Sequence, residues 1–120
     1  MGMPRYMTLF TFKGETLKAF MKKPTDRAAV VGQAAQSVGG RLEAYYWMFG
    51  QHDGLAILEM PDSATAARFA ITVTSTGAFT HLETHELFSS DEVLELMRGT
   101  QGVEYAAPGQ IPDFLQHPLP

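Results

Sequence analysis

The 120 residues make one domain by length, large enough to bury roughly two-thirds of the surface that the unfolded chain exposes. Nine basic residues stand against thirteen acidic ones, and only Lys22 and Lys23 are adjacent, so no basic face is expected to neutralise phosphates and no nucleic-acid partner is implied. The absence of cysteine removes disulfides, thiolate nucleophiles and Cys-based zinc or iron–sulfur sites.

The longest apolar run, Ala44 to Phe49, is far shorter than the roughly 20 residues that span a bilayer. Met1 to Tyr6 lacks the charged and apolar regions of a signal peptide. A soluble cytoplasmic protein without a membrane partner is the expectation.

Arg5 to Phe12 is rich in aromatic and β-branched residues and predicts a central strand covered on both faces. Glu15 to Lys23 places Leu17, Phe20 and Met21 at helical spacing, with its acid first and its lysines last, as the helix dipole favours. Pro24 stops it. Thr25 or Asp26 caps a second helix whose stripe comprises Val30 or Val31, Ala34 or Ala35, and Val38, with Gly39-Gly40 as a left-handed exit.

Leu42 to Met48 and Leu55 to Met60 then form a hairpin around Gly50-Gln51-His52-Asp53. Pro61-Asp62-Ser63 leads into a small-residue helix containing Ala66, Ala67, Phe69, Ala70, Ile71 and Val73 and ending at Gly77. Phe79 to Phe88 is the last strand. Ser89-Ser90-Asp91-Glu92 has capping-box spacing ahead of a further helix closed by Arg98 and Gly99.

The core order is therefore β-α-β-β-α-β, an α+β class. With right-handed crossovers it gives a ferredoxin-like antiparallel sheet of strand order 4-1-3-2, plus the extra C-terminal helix. Both helical layers lie on one face. The other face cannot be left to water, since both alternate sets of the first strand are apolar, Tyr6, Phe10 and Phe12 on one side and Met7 and Leu9 on the other, and a homodimer or higher oligomer built sheet against sheet is expected. Residues 4–98 form the domain. Residues 99–120, with four of the seven prolines, form an extended tail in which Tyr105, Ile111, Phe114 and Leu115 can either dock or stay disordered.

With these elements placed, Gly39-Gly40, Tyr46, Gly50-x-His52-Asp53, Glu59-x-Pro61-Asp62, Gly77 and Glu83-Thr84 resemble the GYD domain family. The resemblance spans roughly residues 4 to 98 and implies a dimeric α/β-barrel type of ferredoxin-like fold with no settled activity. This chain departs from the family pattern twice. His52 stands where the naming motif has tyrosine, so a phenolic role does not carry over, and His85 stands where an aliphatic residue is usual.

His52 is the candidate catalytic residue. It either decorates a turn that Gly50 and Asp53 define, or projects over the end of a cavity between sheet and helices, where an imidazole accepts a proton or binds an anion. Asp53 orients it only if adjacent side chains turn back on each other. Tyr46, Trp47, Asp53, His81 and His85 are candidate pocket residues, and Tyr45, Tyr46 and Trp47 divide between the two faces of their strand.

His81, Glu83 and His85 alternate along one face, resembling a two-His-one-carboxylate metal set. The outer pair are separated by roughly 13 Å at strand rise, so a single strand cannot converge them on a metal. A bulge, a neighbouring strand or a second subunit would have to complete the set. The alternative is a polar stripe or subunit contact in which His81 and His85 are hydrogen-bonded, with Phe79 and Leu87 sharing their face.

Three functions follow as expectations. The first is a homo-oligomeric module that binds or senses a small apolar ligand in the cavity. The second is a cofactor-independent oxygenase or isomerase using a cavity histidine, and the third an assembly protein with no ligand. None of them requires a cofactor.

Overall fold

The computed structural model describes residues 2–116. They form two compact units, one ending at Phe88 and the other beginning at Ser89. The last long helix, placed with the domain up to residue 98 from sequence, thus groups with the C-terminal segment.

In the first unit the chain runs β1 (Arg5–Phe12), α1 (Gly14–Lys22), α2 (Arg27–Ser37), β2 (Arg41–Trp47), β3 (Gly54–Glu59), α3 (Ser63–Thr74) and β4 (Phe79–Leu87). The sheet order is β2-β3-β1-β4 with every pair antiparallel, which is the expected sheet read from its other edge. Asp26 caps α2 by accepting from the Ala29 amide, and Asp62 caps α3 by accepting from the Thr65 amide at 2.8 Å. Gly39 leaves α2 at φ 80°, a left-handed exit that glycine adopts without penalty.

The helices cover one face. Tyr6, Phe10 and Phe12 of β1 and Ala56 and Leu58 of β3 are buried there with Met60, Ala35 of α2 and Ala66 of α3. Each large side chain so buried contributes about 1.5–3 kcal/mol. The opposite face carries Met7 and Leu9 of β1 beside Ile57 and Leu55 of β3, all half-buried. An ion-pair set closes one end of it: Arg5 reaches Glu43 at 2.8 Å and Arg41 reaches Glu59 at 3.1 Å.

Two bulges redirect side chains. Thr11 pairs with His81 while Phe12 pairs with Phe79, so Thr80 is an extra residue in β4. Phe79 is thereby turned to the helix side, where it stacks on Phe12 at 4.8 Å; strict alternation had placed it with His81, and that expectation is corrected. Glu43 is the extra residue in β2, between Leu42 opposite Leu58 and Ala44 opposite Ile57. It puts both Leu42 and Tyr45 on the helix side, where both pack against the core.

In the second unit, α4 (Ser90–Arg98) begins with the expected capping box between Ser89 and Glu92. A 3-10 turn follows at Gly99–Gly102, and a one-turn helix, α5, at Asp113–Gln116. The tail is therefore not wholly extended. Pro112, just ahead of α5, is compatible with a helix start, where its missing N–H is not needed. Pro118 and Pro120 of the expected tail lie outside the described residues.

Candidate functional site

Two places in the first unit concentrate chemistry, and they lie on opposite faces of the sheet. The helix side holds a cavity of about 360 Å³. Its walls are mainly aromatic and small apolar side chains, among them Phe10, Phe12, Phe69, Phe79, Ala34 and Val73. Small residues on α2 and α3 leave the space, and large rings from the sheet bound it.

Few polar groups reach this cavity. Thr16 and Thr76 line it but are spoken for, since their hydroxyls donate to the carbonyls of Ala78 and Val73. Thr8 is paired with Thr84 at 3.1 Å. Arg27 and Tyr45 remain. The Arg27 guanidinium lies 5.3 Å above the Phe20 ring. Burial pushes the Tyr45 phenol up to about 12, outweighing the nearby Arg27 charge, which favours the phenolate.

The other face holds the histidines. The β2–β3 loop folds back over the end of β1 through a set of backbone ties. The Met48 amide donates to the Asp53 carbonyl at 2.7 Å, the Asp53 amide to the Phe10 carbonyl at 2.8 Å, and the Phe12 amide to Asp53 Oδ2 at 2.8 Å. Asp53 is thus occupied by backbone and does not orient His52.

This fold of the loop lays His52 beside β4. Its ring is stacked near that of His81, with centroids 5.7 Å apart, and its Nε2 is 3.5 Å from Glu83 Oε1. His81 Nε2 lies 3.2 Å from the same oxygen, and His85 Nε2 lies 2.8 Å from Oε2. Three imidazoles therefore surround one carboxylate. The hydrogen bonds from His85 and then His81 hold the Glu83 carboxyl below its ordinary range. His52 is the least exposed of the three, with its Nδ1 buried and without a hydrogen-bond partner among the described residues.

Strand geometry keeps His81 and His85 on opposite oxygens of Glu83. Among the described residues, no group of three or more His, Cys, Asp or Glu side chains is disposed to hold a metal ion. The arrangement suits shared hydrogen bonding of the imidazoles to one carboxylate.

None of the residues singled out from sequence lines the cavity. His52, His81 and His85 are on the far face, as is Tyr46, which is 63% exposed opposite Leu55. Trp47 is on the helix side but packs its ring against Phe12 and Phe20 outside the cavity wall. The uncommitted polar residues that do line it, Arg27 and Tyr45, were not singled out as ligand contacts. Tyr45 had one available signal: it alternates with Tyr46, so one of the two had to face the helices.

A GYD domain model matches residues 6–97. The chain belongs to the GYD domain family. Among solved structures, this GYD domain is similar to the C-terminal domain of the MgtC protein from Mycobacterium tuberculosis, at 15% identity over 72% of this chain and 89% of that one, TM-score 0.52. It is also similar to an AsnC family transcriptional regulator from Agrobacterium tumefaciens, at 15% identity and TM-score 0.51. That match covers 95% of this chain and 60% of the regulator's. At these identities the likeness shows the fold, which is ferredoxin-like in both cases. No curated protein matches the chain. No helix among the described residues is long and apolar enough to cross a membrane.

Proposed function

We propose that this GYD domain is a homo-oligomeric small-molecule-binding module whose ligand occupies the cavity between sheet and helices. The observation that carries the reading is the cavity itself. About 360 Å³ of space lined mainly by rings and small apolar side chains, with Arg27 and Tyr45 as uncommitted polar groups at its wall, has the size and character of a small-molecule site. A core packed only for stability leaves few voids larger than a water molecule.

The half-buried apolar stripe of Met7, Leu9, Leu55 and Ile57 on the other face supports self-association through the sheet. With no cysteine in the chain, a reducing cytoplasm is the compartment this reading assigns. An oxygenase or isomerase driven by a cavity histidine loses its main support, because His52, His81 and His85 do not reach the cavity. No cofactor enters the reading.

Native mass spectrometry of protein purified from its host, beside a Val73→Trp variant that fills the space, tests it. A retained small molecule lost in the variant is the expected result. A wild-type protein that arrives empty, and whose melting temperature no apolar probe raises, removes the binding function.

A further inference from the structure

We infer that the cavity takes a compact monocarboxylate with an aromatic or branched apolar body, held by Arg27 and Tyr45. The inference rests on the proposed ligand-binding reading and names the chemical class of its ligand.

The argument begins with which polar functions the cavity has left to offer. The hydroxyls of Thr16 and Thr76 are committed to backbone carbonyls and that of Thr8 to Thr84. Two groups are uncommitted. Arg27 makes no ion pair or hydrogen bond among the described residues, and its guanidinium lies over the Phe20 ring. Tyr45 is half-buried and its hydroxyl likewise has no hydrogen-bond partner among the described residues.

Both groups can donate. A guanidinium has five N–H groups and no acceptor, and the Tyr45 phenol, protonated at neutral pH with burial raising its pKa further, donates as well as accepts. Arg27 therefore calls for an acceptor on the ligand, and as the single cation of the wall it calls for one negative charge. Carboxylate meets both demands and matches the planar guanidinium fork. A dianion such as a phosphate monoester would bring one charge more than the wall can pair, into apolar surroundings that penalise it.

The rest of the wall specifies the body. Phe10, Phe12, Phe69 and Phe79 present rings, and Ala34 and Val73 present small surfaces. An aromatic or branched aliphatic group fits that lining, and a sugar or a polyamine leaves its polar groups unpaired.

The test uses the full chain and two probes of one shape, 3-phenylpropionate and 3-phenylpropionamide, titrated by calorimetry into wild type, Arg27→Gln, Arg27→Lys and Val73→Trp. The expected result is that wild type binds the acid roughly tenfold to a hundredfold more tightly than the amide, as charge-assisted hydrogen bonds allow. Arg27→Gln brings the two together, Arg27→Lys keeps part of the gap, and Val73→Trp binds neither. Arg27→Lys serves alone if Arg27→Gln does not fold.

Equal binding of acid and amide by wild type, or a gap that survives in Arg27→Gln, overturns the carboxylate inference and leaves the cavity reading standing. Acid binding that persists in Val73→Trp places the site elsewhere and overturns it too. If neither probe binds wild type, the inference falls together with the cavity reading.

Discussion

The Asp53 carboxylate accepts the Phe12 amide hydrogen at 2.8 Å, joining the hairpin loop to the end of β1. That bond decides which side of the sheet the loop serves. It anchors Asp53 over the β1 terminus, and the neighbouring His52 is carried to the β4 side, 3.5 Å from Glu83. Asp53→Ala should cost about 1–3 kcal/mol, because a partly buried amide loses a charged acceptor. Urea denaturation measures it, and a loss below about 0.5 kcal/mol would show that water replaces the carboxylate without penalty.

Gly54 lies opposite Trp47 and against the Phe10 ring. A Cβ there would sit 2.6 Å from the ring and 2.9 Å from the Tyr46 carbonyl oxygen. The second contact is backbone and cannot swing away. Gly54→Ala is expected to destabilise by about 1–3 kcal/mol, the usual range for overpacking. Pairing it with Phe10→Leu should recover only part of the loss. Full recovery would mean that the carbonyl contact is relieved at no cost.

Much of the fold was legible because its signals are local. β1 was bounded at Arg5 and Phe12 by composition, the α2 start by Thr25 or Asp26, of which Asp26 is the cap, the α3 start by Asp62, and the α2 exit by Gly39-Gly40. The site was not legible for two physical reasons. A bulge is a one-residue insertion with no strong sequence mark, and the bulge at Thr80 moved Phe79 away from the histidine face. The direction of His52 depends on a bond between Asp53 and Phe12, 41 positions apart in the chain, which no local pattern encodes. The signature residues Gly39, Gly50, Asp53 and Asp62 prove to shape backbone, so the motif that marks the family does not mark the cavity.

Glu83 should leave a trace in the acid limb of the stability curve. Its hydrogen bonds to His85 and His81 lower its pKa below the ordinary 4.5, so its contribution is fully present above that value. As pH falls through the folded-state value, the carboxylate protonates and the contribution is lost. Asp62, held down by the Thr65 amide, and Glu59, held down by Arg41, act in the same direction. Glu83→Gln should therefore be less stable than wild type near neutrality, with the two curves converging under acid. Curves that stay parallel from neutral pH to about pH 3 would show that the histidines do not stabilise the charged form.

The Tyr45 hydroxyl makes no hydrogen bond among the described residues, so removing it should leave stability within about 0.5 kcal/mol of wild type. Ligand affinity should fall by roughly threefold to tenfold in Tyr45→Phe, because the ligand loses one donor. The split between the two readouts is informative. A stability loss above about 1.5 kcal/mol would assign the phenol to the packing of the domain and not to ligand recognition.

The sheet face opposite the cavity bears on assembly. Leu9 and Leu55 share a row, as do Met7 and Ile57, and each row continues to Glu83 or His85 on β4. Apolar side chains at the centre of a sheet and charged ones at its margins are the pattern of an interface core and its rim. Wild type should run as a dimer or larger species by light scattering at micromolar concentration. Leu9→Asp should shift it to monomer with the far-UV spectrum unchanged, since a buried carboxylate without a partner opposes association more strongly than it disturbs an outward-facing position. His85→Ala, on the rim, should weaken association far less than Leu9→Asp. A monodisperse wild-type monomer would remove the sheet-to-sheet assembly, and equal effects of the two substitutions would move its energetic centre from the apolar rows to the histidines.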